Sequence, residues 1–288
     1  MNCCLSAALQ AALDASSASG ARRIIHQTWK TIEVPEAWAT SLQQWTALHP
    51  EWIHILWTDT DIEYYMKTKW PDDVQMFQSL PWTIQRIDLW RYYVLRDFGG
   101  IYCDLDIEPT KNVTSFITDG PIQLVASANT PSVFTNALMI SDTSKVAKAF
   151  WTSLIETVKL YSASRTLSVV SAASRHLEIM ESTGPLALTR AVRNSEWPIT
   201  ILPSKLWNPY DLSVADMPSM QTNEKALIKL LPGSSWHEVD STALSLLLVY
   251  KGPIIAFVIL IMVFYIVKSE IVRSKFASLR RFLRRSKL

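Results

Sequence analysis

The sequence predicts an α/β fold, in which helices cover the faces of a parallel β-sheet. The chain has 288 residues and is 49% hydrophobic, which is enough for a substantial core. Segments of strand and helix type alternate from residue 23 onward, as they do in parallel α/β sheets. Ligands of such sheets bind at the carboxyl ends of the strands, so the residues that follow each strand are the first candidates for a site.

The amino-terminal part of this fold consists of two strands and two helices. Apolar runs predict the strands, and Pro35 with Glu36 marks the start of the first helix. The predicted elements are a strand at 24–29, a helix at 35–48, a strand at 52–57 and a helix at 59–68.

The remaining elements continue the alternation. A helix is predicted at 82–97, and Gly99-Gly100 ends it with residues that tolerate positive φ. After that point we expect strands at 101–103, 123–128, 137–140 and 199–202, and helices at 146–161 and 162–193, the last interrupted at 183–185.

Two carboxylates follow the strand at 101–103. Asp104 and Asp106 stand at positions i and i+2, so their side chains share one face of an extended chain. A slight turn then brings both within reach of one divalent cation, which can bridge phosphate oxygens of a diphosphate. The alternative interpretation is a salt-bridged pair at the surface.

Asp88 and Arg91 lie one turn apart on the helix that precedes this strand. A carboxylate and a guanidinium on one helical face can point at the same ligand. The alternative is an ordinary ion pair, but the neighbours Leu89, Trp90 and Tyr92 indicate that this face is buried.

The segment that carries these groups resembles a known family. Its residues are Arg86-Ile87-Asp88-Leu89-Trp90-Arg91-Tyr92, Gly99-Gly100-Ile101-Tyr102 and Asp104-Leu105-Asp106. They are similar to the sugar-nucleotide site of glycosyltransferases containing the DXD motif, and specifically of glycosyltransferase family 32. That family includes the Och-type mannosyltransferases and the catalytic subunits of mannosyl inositol phosphorylceramide synthase.

The resemblance extends over residues 23–237 and implies a GT-A-like nucleotide-diphospho-sugar transferase fold. It also implies a retaining transferase that uses Mn²⁺ or Mg²⁺ and a sugar nucleotide. Asp104 and Asp106 would hold the cation and diphosphate, with Asp106 also catalytic, and Asp88 and Arg91 would contact the donor sugar.

Two further elements gain a role from the resemblance. Trp29 matches a tryptophan that stacks on the nucleotide base, although it could equally belong to the core. Ser235 and Trp236 match residues that close over the diphosphate, and His237 would be a third ligand of the cation. The alternative for this last group is a set of aromatic side chains at a membrane interface.

The carboxyl-terminal residues predict a membrane anchor. Residues 243–267 are almost uninterrupted hydrophobic sequence, with Lys251 as their only charge. The tail at 268–288 has eight basic residues and one acid, so it carries +7 within a chain whose formal charge is +2. Basic residues next to a span favour the cytosolic side, which would place a catalytic domain at 22–242 in a lumen, as in the Golgi. Residues 1–21 form only a weak leader or a flexible segment.

We therefore expect a metal-dependent transferase that moves mannose from GDP-mannose onto a membrane lipid such as inositol phosphorylceramide. The alternatives are a UDP-sugar-dependent transferase acting on glycans and a non-catalytic membrane adaptor with the same fold. A regulatory membrane subunit is a further expected partner, and nucleic acid is not. No Ser/His/Asp triad, zinc-ligand spacing or phosphate-binding glycine loop is visible in the sequence, so hydrolase and kinase functions lack their parts.

Overall fold

The protein was analysed as a computed structural model. The chain divides into two compact units, Met1–His237 and Glu238–Leu288. Every described residue lies in the first unit, and the described residues are 10, 23–126, 132–164, 175–194, 196–207 and 225–232. The anchor predicted at 243–267 and the basic tail lie outside them. Within the described ranges, no helix is both long and apolar enough to cross a bilayer.

A six-stranded sheet forms the centre of the first unit, with the strand order β2-β1-β3-β6-β5-β7. A separate two-stranded sheet pairs β4 with β8. The strands are β1 (Ile24–Thr28), β2 (Ile53–Trp57), β3 (Gly100–Cys103), β4 (Ile107–Pro109), β5 (Ile122–Ala126), β6 (Phe134–Ser141), β7 (Ile199–Leu202) and β8 (Ile228–Leu230).

The α/β prediction is confirmed, but the prediction of a parallel sheet is wrong because the sheet is mixed. β1 runs parallel to β2 and β3, and β5 runs parallel to β7. β6 runs antiparallel to both of its neighbours, β3 and β5. Local sequence determines that a segment is extended, whereas its direction depends on which distant strand it pairs with, so the alternation of elements could not reveal this reversal.

Helices pack on both faces of the sheet. They are α1 (Glu36–Leu48), α2 (Asp59–Lys69), α3 (Val74–Ser79), α4 (Thr83–Phe98), α5 (Lys145–Ser164), α6 (Arg175–Ser182), α7 (Pro185–Arg193) and α8 (Ser204–Trp207). Local sequence accounts for several of their starts. Thr58 and Asp61 form a reciprocal capping box before α2, and prolines lie at the amino ends of α1 and α7.

The two faces of the sheet contribute to two hydrophobic cores. Alternate residues of β1 point to opposite sides, so Ile24 packs with α4 while Ile25 packs with Trp45 of α1. The α4 side is the larger core and includes Trp57, Trp90 and many other aromatic rings. The α1 side lies beneath the turn that follows β3, so α1 is placed to contact that turn.

The glycine pair at the end of α4 has the conformation that the sequence predicts. Gly99 and Gly100 have φ angles of 64° and 89°. A Cβ atom at Gly100 would collide with the carbonyl oxygen of Ile24 on β1, so the close approach of the two strands requires glycine there. The chain therefore passes from α4 directly into β3 without a loop.

Candidate active site

A cluster of buried charges lies where α4 meets the carboxyl end of β3. The Arg91 guanidinium donates to the Asn136 carbonyl at 2.7 Å and forms ion pairs with Asp88 Oδ1 at 3.1 Å and Asp104 Oδ1 at 3.2 Å. It also lies over the Tyr102 ring, with Cζ 4.5 Å from the ring centroid. The side chains of Arg91 and Asp88 are only 3% and 5% exposed, whereas that of Asp104 is 33% exposed. The cluster thus runs from the core to an opening at Asp104.

Residues from three separate segments surround the Asp88 carboxylate. The Asn136 amide on β6 donates to Oδ1 at 2.9 Å, and the Thr183 hydroxyl donates to Oδ2 at 3.1 Å. Tyr92 donates to the Thr183 carbonyl at 2.6 Å and so fixes that residue in place. A Cβ atom at Gly184 would stand 3.4 Å from Asp88 Oδ2, so the chain passes close beside the carboxylate.

The electrostatics of this cluster follow from its burial. Burial raises the pKa of Asp88 to about 6, although Arg91 opposes the shift. Burial alone would lower the pKa of Arg91, but the charge of Asp104 and the other acidic neighbours raises it above its usual value. A buried ion pair contributes little net stability because both groups lose their hydration, so packing alone does not explain this arrangement.

The Asp104–Asp106 turn is held by backbone hydrogen bonds. The Asp104 amide donates to Ala137 O at 2.8 Å, and the Ile107 amide donates to Asp104 O at 3.1 Å. The Leu231 amide, next to β8, donates to Asp106 O at 2.7 Å. The Tyr102 hydroxyl donates to Asp104 Oδ1 at 2.7 Å, which leaves Oδ2 available on that carboxylate.

Asp106 is the second acidic group of the turn. Burial and the neighbouring charge of Asp104 raise the pKa of Asp106 to about 7. No cationic side chain in the described ranges lies within ion-pair distance of it. Together with Asp104 it forms a donor set that suits a hard divalent cation, because a cation can replace the proton that the Asp106 carboxylate binds.

The described residues contain no group of three or more acidic, histidine or cysteine side chains arranged to hold a metal ion. The predicted third ligand, His237, lies outside them, and so do Ser235 and Trp236. The structure therefore brings Asp88, Arg91, Asp104 and Asp106 together, and the contribution of the 235–237 element stays a prediction.

Trp29 lies at the same edge of the sheet as the acidic pair. β1 is parallel to β3 and next to it, and Trp29 directly follows β1 as Asp104 directly follows β3. The Trp29 ring is partly exposed, meets Trp38 edge to face at 5.1 Å and carries Lys30 Nζ 5.6 Å from its centroid. An aromatic residue thus lies at the sheet edge that also carries Asp104.

Two residues of this site were not predicted from the sequence. Asn136 and Thr183 contact Asp88 across 48 and 95 positions of the chain. The sequence predicted a turn at Thr183-Gly184-Pro185, and the resemblance implied a loop near the acceptor, but neither indicated a contact with Asp88. Asparagine is depleted in strand interiors, so an asparagine within the apolar β6 segment was a signal that this position has a polar partner.

The comparisons with known proteins agree with this geometry. Residues 35–123 match the family profile described as glycosyltransferase sugar-binding region containing DXD motif. That range includes α4, β3 and both acidic residues of the turn.

Several fungal proteins are similar to most of the chain. It is 29% identical over 222 residues to inositol phosphoceramide mannosyltransferase 3 of Schizosaccharomyces pombe. The alignment covers 76% of this chain and 56% of that protein. It is 28% identical over 228 residues to mannosyl phosphorylinositol ceramide synthase CSH1 of Saccharomyces cerevisiae, with 76% and 54% coverage. The chain thus spans little more than half the length of these relatives.

A shorter stretch is more strongly conserved with another relative. Over 84 residues, or 29% of this chain and 22% of the other, the identity to mannosyl phosphorylinositol ceramide synthase SUR1 of Saccharomyces cerevisiae is 40%.

Among solved structures, PaToxG glycosyltransferase aligns with a TM-score of 0.44 and 14% identity over 65% of this chain and 74% of that one. The resemblance inferred from the sequence is confirmed: residues 35–123 match the DXD-containing sugar-binding region of glycosyltransferases, and fungal mannosyltransferases are similar to most of the chain.

Proposed function

We propose that the chain is a glycosyltransferase that uses a sugar nucleotide and a divalent cation. The observation that carries the proposal is the buried Asp88–Arg91–Asp104 cluster, which opens at Asp104 beside the only partly compensated Asp106. Such a cluster contributes little to stability and lies at the sheet edge where ligands bind. It also lies within the segment that matches the sugar-binding family.

Asp106 and the free Oδ2 of Asp104 are the groups that would hold Mn²⁺ or Mg²⁺. A bound cation would supply neutralisation of the charge that develops on the departing nucleoside diphosphate. Arg91 and Tyr102 orient the Asp104 carboxylate by occupying its other oxygen. His237 is proposed as a further ligand, with Ser235 and Trp236 against the diphosphate.

Asp88 and Arg91 bind and orient the donor sugar. A carboxylate accepts hydrogen bonds from sugar hydroxyls, and a guanidinium donates to them. Both groups are fixed before the donor arrives, because Asn136 and Thr183 hold Asp88 and three oxygens hold Arg91. Preorganisation of this kind avoids the entropic cost of ordering the groups during the reaction.

The reaction exchanges one bond of the anomeric carbon for another. The acceptor hydroxyl oxygen forms a bond to that carbon, the bond to the diphosphate oxygen breaks, and the hydroxyl proton passes to the departing diphosphate. The family resemblance favours retention of configuration. The partly exposed Trp29 is placed to stack on the nucleobase of the donor.

The donor is proposed to be GDP-mannose and the acceptor inositol phosphorylceramide. The names of the fungal relatives support both, since they are an inositol phosphoceramide mannosyltransferase and a mannosyl phosphorylinositol ceramide synthase. The apolar segment 243–267 supports a lipid acceptor because it would hold the protein at a membrane. We further propose a GT-A-like catalytic domain at 22–242, a Golgi lumenal placement with a cytosolic tail at 268–288, and a regulatory membrane subunit as a partner.

The test is release of free nucleoside diphosphate by the purified full chain in mild detergent. GDP- and UDP-sugars are supplied one at a time, with and without Mn²⁺, and with inositol phosphorylceramide as acceptor. We expect Mn²⁺-dependent release of GDP from GDP-mannose, and loss of that release in Asp106→Ala. Release from a UDP-sugar instead would replace the donor assignment, and the absence of release from every donor in the presence of the lipid would contradict the transferase proposal.

A further inference from the structure

A buried polar chain lies beneath the Asp104–Asp106 turn and has no role in the function proposed so far. It begins at Gln27 on β1, whose side chain is completely buried. The Gln27 amide nitrogen lies 3.1 Å from Ser41 Oγ and 3.3 Å from the carbonyl oxygen of Asp104. Its amide oxygen lies 2.8 Å from His54 Nε2 on β2. One side chain thus links two strands, the helix α1 and the acidic turn.

The hydrogen-bond directions in this polar network follow from the Asp104 carbonyl, which can only accept. The Asp104 carbonyl has no proton, so the Gln27 group facing it must be the NH₂ group. The amide oxygen must then face His54, and His54 must carry its proton on Nε2. Burial lowers the pKa of His54 to about 4, so the ring is neutral near pH 7. Its Nδ1 lies 3.0 Å from Thr46 Oγ1, whose hydroxyl donates to the Leu42 carbonyl at 3.0 Å.

The chain continues to the other end of the turn. Ser41 receives the second Gln27 proton and donates its own to the Ile107 carbonyl at 2.7 Å, and Trp45 Nε1 donates to the same carbonyl at 2.8 Å. The carbonyl groups at both ends of the turn, those of Asp104 and Ile107, are therefore bound from the α1 side. The carboxylates project from a backbone that this network fixes at both ends.

We propose that Gln27, oriented by His54, is a positioning residue that sets the geometry of the Asp104–Asp106 turn for a divalent cation bound with nucleoside diphosphate. This inference rests on the proposed function, since it concerns the cation site of that function. The physical reason is that without Gln27 the Asp104 carbonyl keeps only the Ile107 amide as a donor, so the Asp104 peptide is less constrained. A small rotation of that peptide changes the separation of the two carboxylates. Groups that hold metal ligands from behind typically change metal affinity by about 10–100-fold when removed.

The chain offers a matched control for the test. Gln123 on β5 is also a buried strand glutamine, and its side chain holds backbone groups of Thr118 and Gly120. Gln27→Met and Gln123→Met both replace the amide by an apolar side chain of similar shape. Both lose hydrogen bonds to backbone groups, so their melting temperatures are expected to fall by similar amounts. Only the first contacts the acidic turn.

Two measurements on the full chain separate positioning from stability. The first is amide hydrogen exchange over residues 103–108, which requires no ligand. The second is binding of Mn²⁺ in the presence of GDP, followed through the electron paramagnetic resonance of free Mn²⁺. Gln27→Met should speed exchange over 103–108 and weaken Mn²⁺ binding about tenfold. Gln123→Met should speed exchange near Thr118 and leave Mn²⁺ binding within about twofold of the wild type.

Turnover gives a third measurement with a specific pattern. If Gln27 positions the cation site, Gln27→Met should raise the Mn²⁺ concentration needed for half-maximal rate about tenfold, while kcat at saturating Mn²⁺ stays within about threefold. Ser41→Ala removes only one link of the network, so it should shift Mn²⁺ binding in the same direction by less. If Gln27→Met does not fold, the Mn²⁺ binding of Ser41→Ala tests the positioning role instead.

The remaining outcomes contradict the inference in different ways. Unchanged Mn²⁺ binding in Gln27→Met, or equal shifts in both glutamine variants, overturns the positioning role and leaves the proposed function intact. A wild-type chain that binds no Mn²⁺ with GDP overturns both. A wild-type chain that binds Mn²⁺ with GDP but transfers no sugar, and whose binding Gln27→Met weakens, supports the positioning role and contradicts the transferase activity.

Discussion

The helix α4 carries one arginine–aspartate pair near its middle and another at its carboxyl end, and the two pairs differ in how completely their charges are satisfied. At the carboxyl end, Arg96 donates to Asp97 at 2.7 Å. The same carboxylate accepts from the Tyr65 hydroxyl at 2.7 Å and from Trp70 Nε1 at 3.1 Å. Arg96 itself also donates to Thr152 and lies over the Trp70 ring. This pair joins three helices and a connecting segment and has partners on every side.

The pair near the middle of α4 is more deeply buried and less complete. Arg91 Nε is buried with no hydrogen-bond partner among the described residues, and Arg91 shares its charge between Asp88 and Asp104. Asp106 adds a negative charge that forms no ion pair with a described cation, and the charge of Arg91 offsets it only in part. The comparison teaches that burial of an ion pair does not by itself indicate function. A buried excess of one charge that is accessible from solvent does indicate function, because a bound ligand of opposite charge can neutralise it.

The comparison is tested most directly by the same substitution at both carboxylates. Asp106→Asn should lower the rate of nucleoside diphosphate release by about 100-fold or more, since it removes a charge that faces the cation and diphosphate. Asp97→Asn should leave that rate within about twofold. Equal effects of the two variants on kcat/KM would show that the distinction between the site around Arg91 and the Arg96–Asp97 pair is wrong.

Replacement of each arginine by lysine should give a smaller but equally asymmetric effect. Lysine keeps the charge but cannot donate at once to Asp88, Asp104 and the Asn136 carbonyl, so Arg91→Lys should lower kcat about 100-fold or somewhat less. Arg96→Lys should change kcat by less than about twofold. The check is steady-state kinetics on both variants at saturating Mn²⁺, and a large loss in Arg96→Lys would argue against a purely structural role for that residue.

The stability effects of the two asparagine variants should have the opposite order. Asp97→Asn weakens three hydrogen bonds to a mostly buried carboxylate, so it should lower the free energy of unfolding by about 1–3 kcal/mol. Asp106→Asn should not lower it. Denaturant unfolding of metal-free protein at pH 7.5 measures both, and a destabilised Asp106→Asn would contradict the only partly compensated charge.

The smallest expected effect is a pH dependence of the difference in stability between Asp106→Asn and the wild type. Because the folded-state pKa of Asp106 is raised to about 7, the folded protein binds this proton more tightly than the unfolded chain does. The ionised carboxylate therefore destabilises the fold progressively as pH rises from about 4 to about 7, and fully above that. Asp106→Asn should melt a few degrees higher than the wild type at pH 8 and at the same temperature at pH 4. A constant difference across this range would mean that the proton is not involved.

The sequence predicted the parts of this site that lie close together along the chain. Helical spacing paired Asp88 with Arg91, and the glycine pair located the change from α4 to β3. Alternation along a strand paired Asp104 with Asp106. Each of these rests on local geometry, which a single segment determines.

The parts that the sequence did not predict depend on pairing between distant segments. Asn136 reaches Asp88 only because β6 runs antiparallel beside β3, and that direction was predicted wrongly. Gln27 reaches Asp104 because β1 adds to the other edge of β3. No local pattern records which strands become neighbours, so contacts between strands had to come from the structure.

The direct passage from α4 through Gly99 into β3 has a consequence for insertions and deletions. The helix advances about 15 Å from Asp88 to its end at 1.5 Å per residue, and the strand returns about 13 Å from Gly100 to Asp104 at 3.3 Å per residue. The two lengths match, and this match brings the carboxylates to one place. One residue added to the helix between Arg91 and Gly99 would rotate Asp88 and Arg91 together by about 100° away from Asp104. Family members that share the site should therefore vary in the length of their surface connections while the number of residues between these two aspartates stays constant.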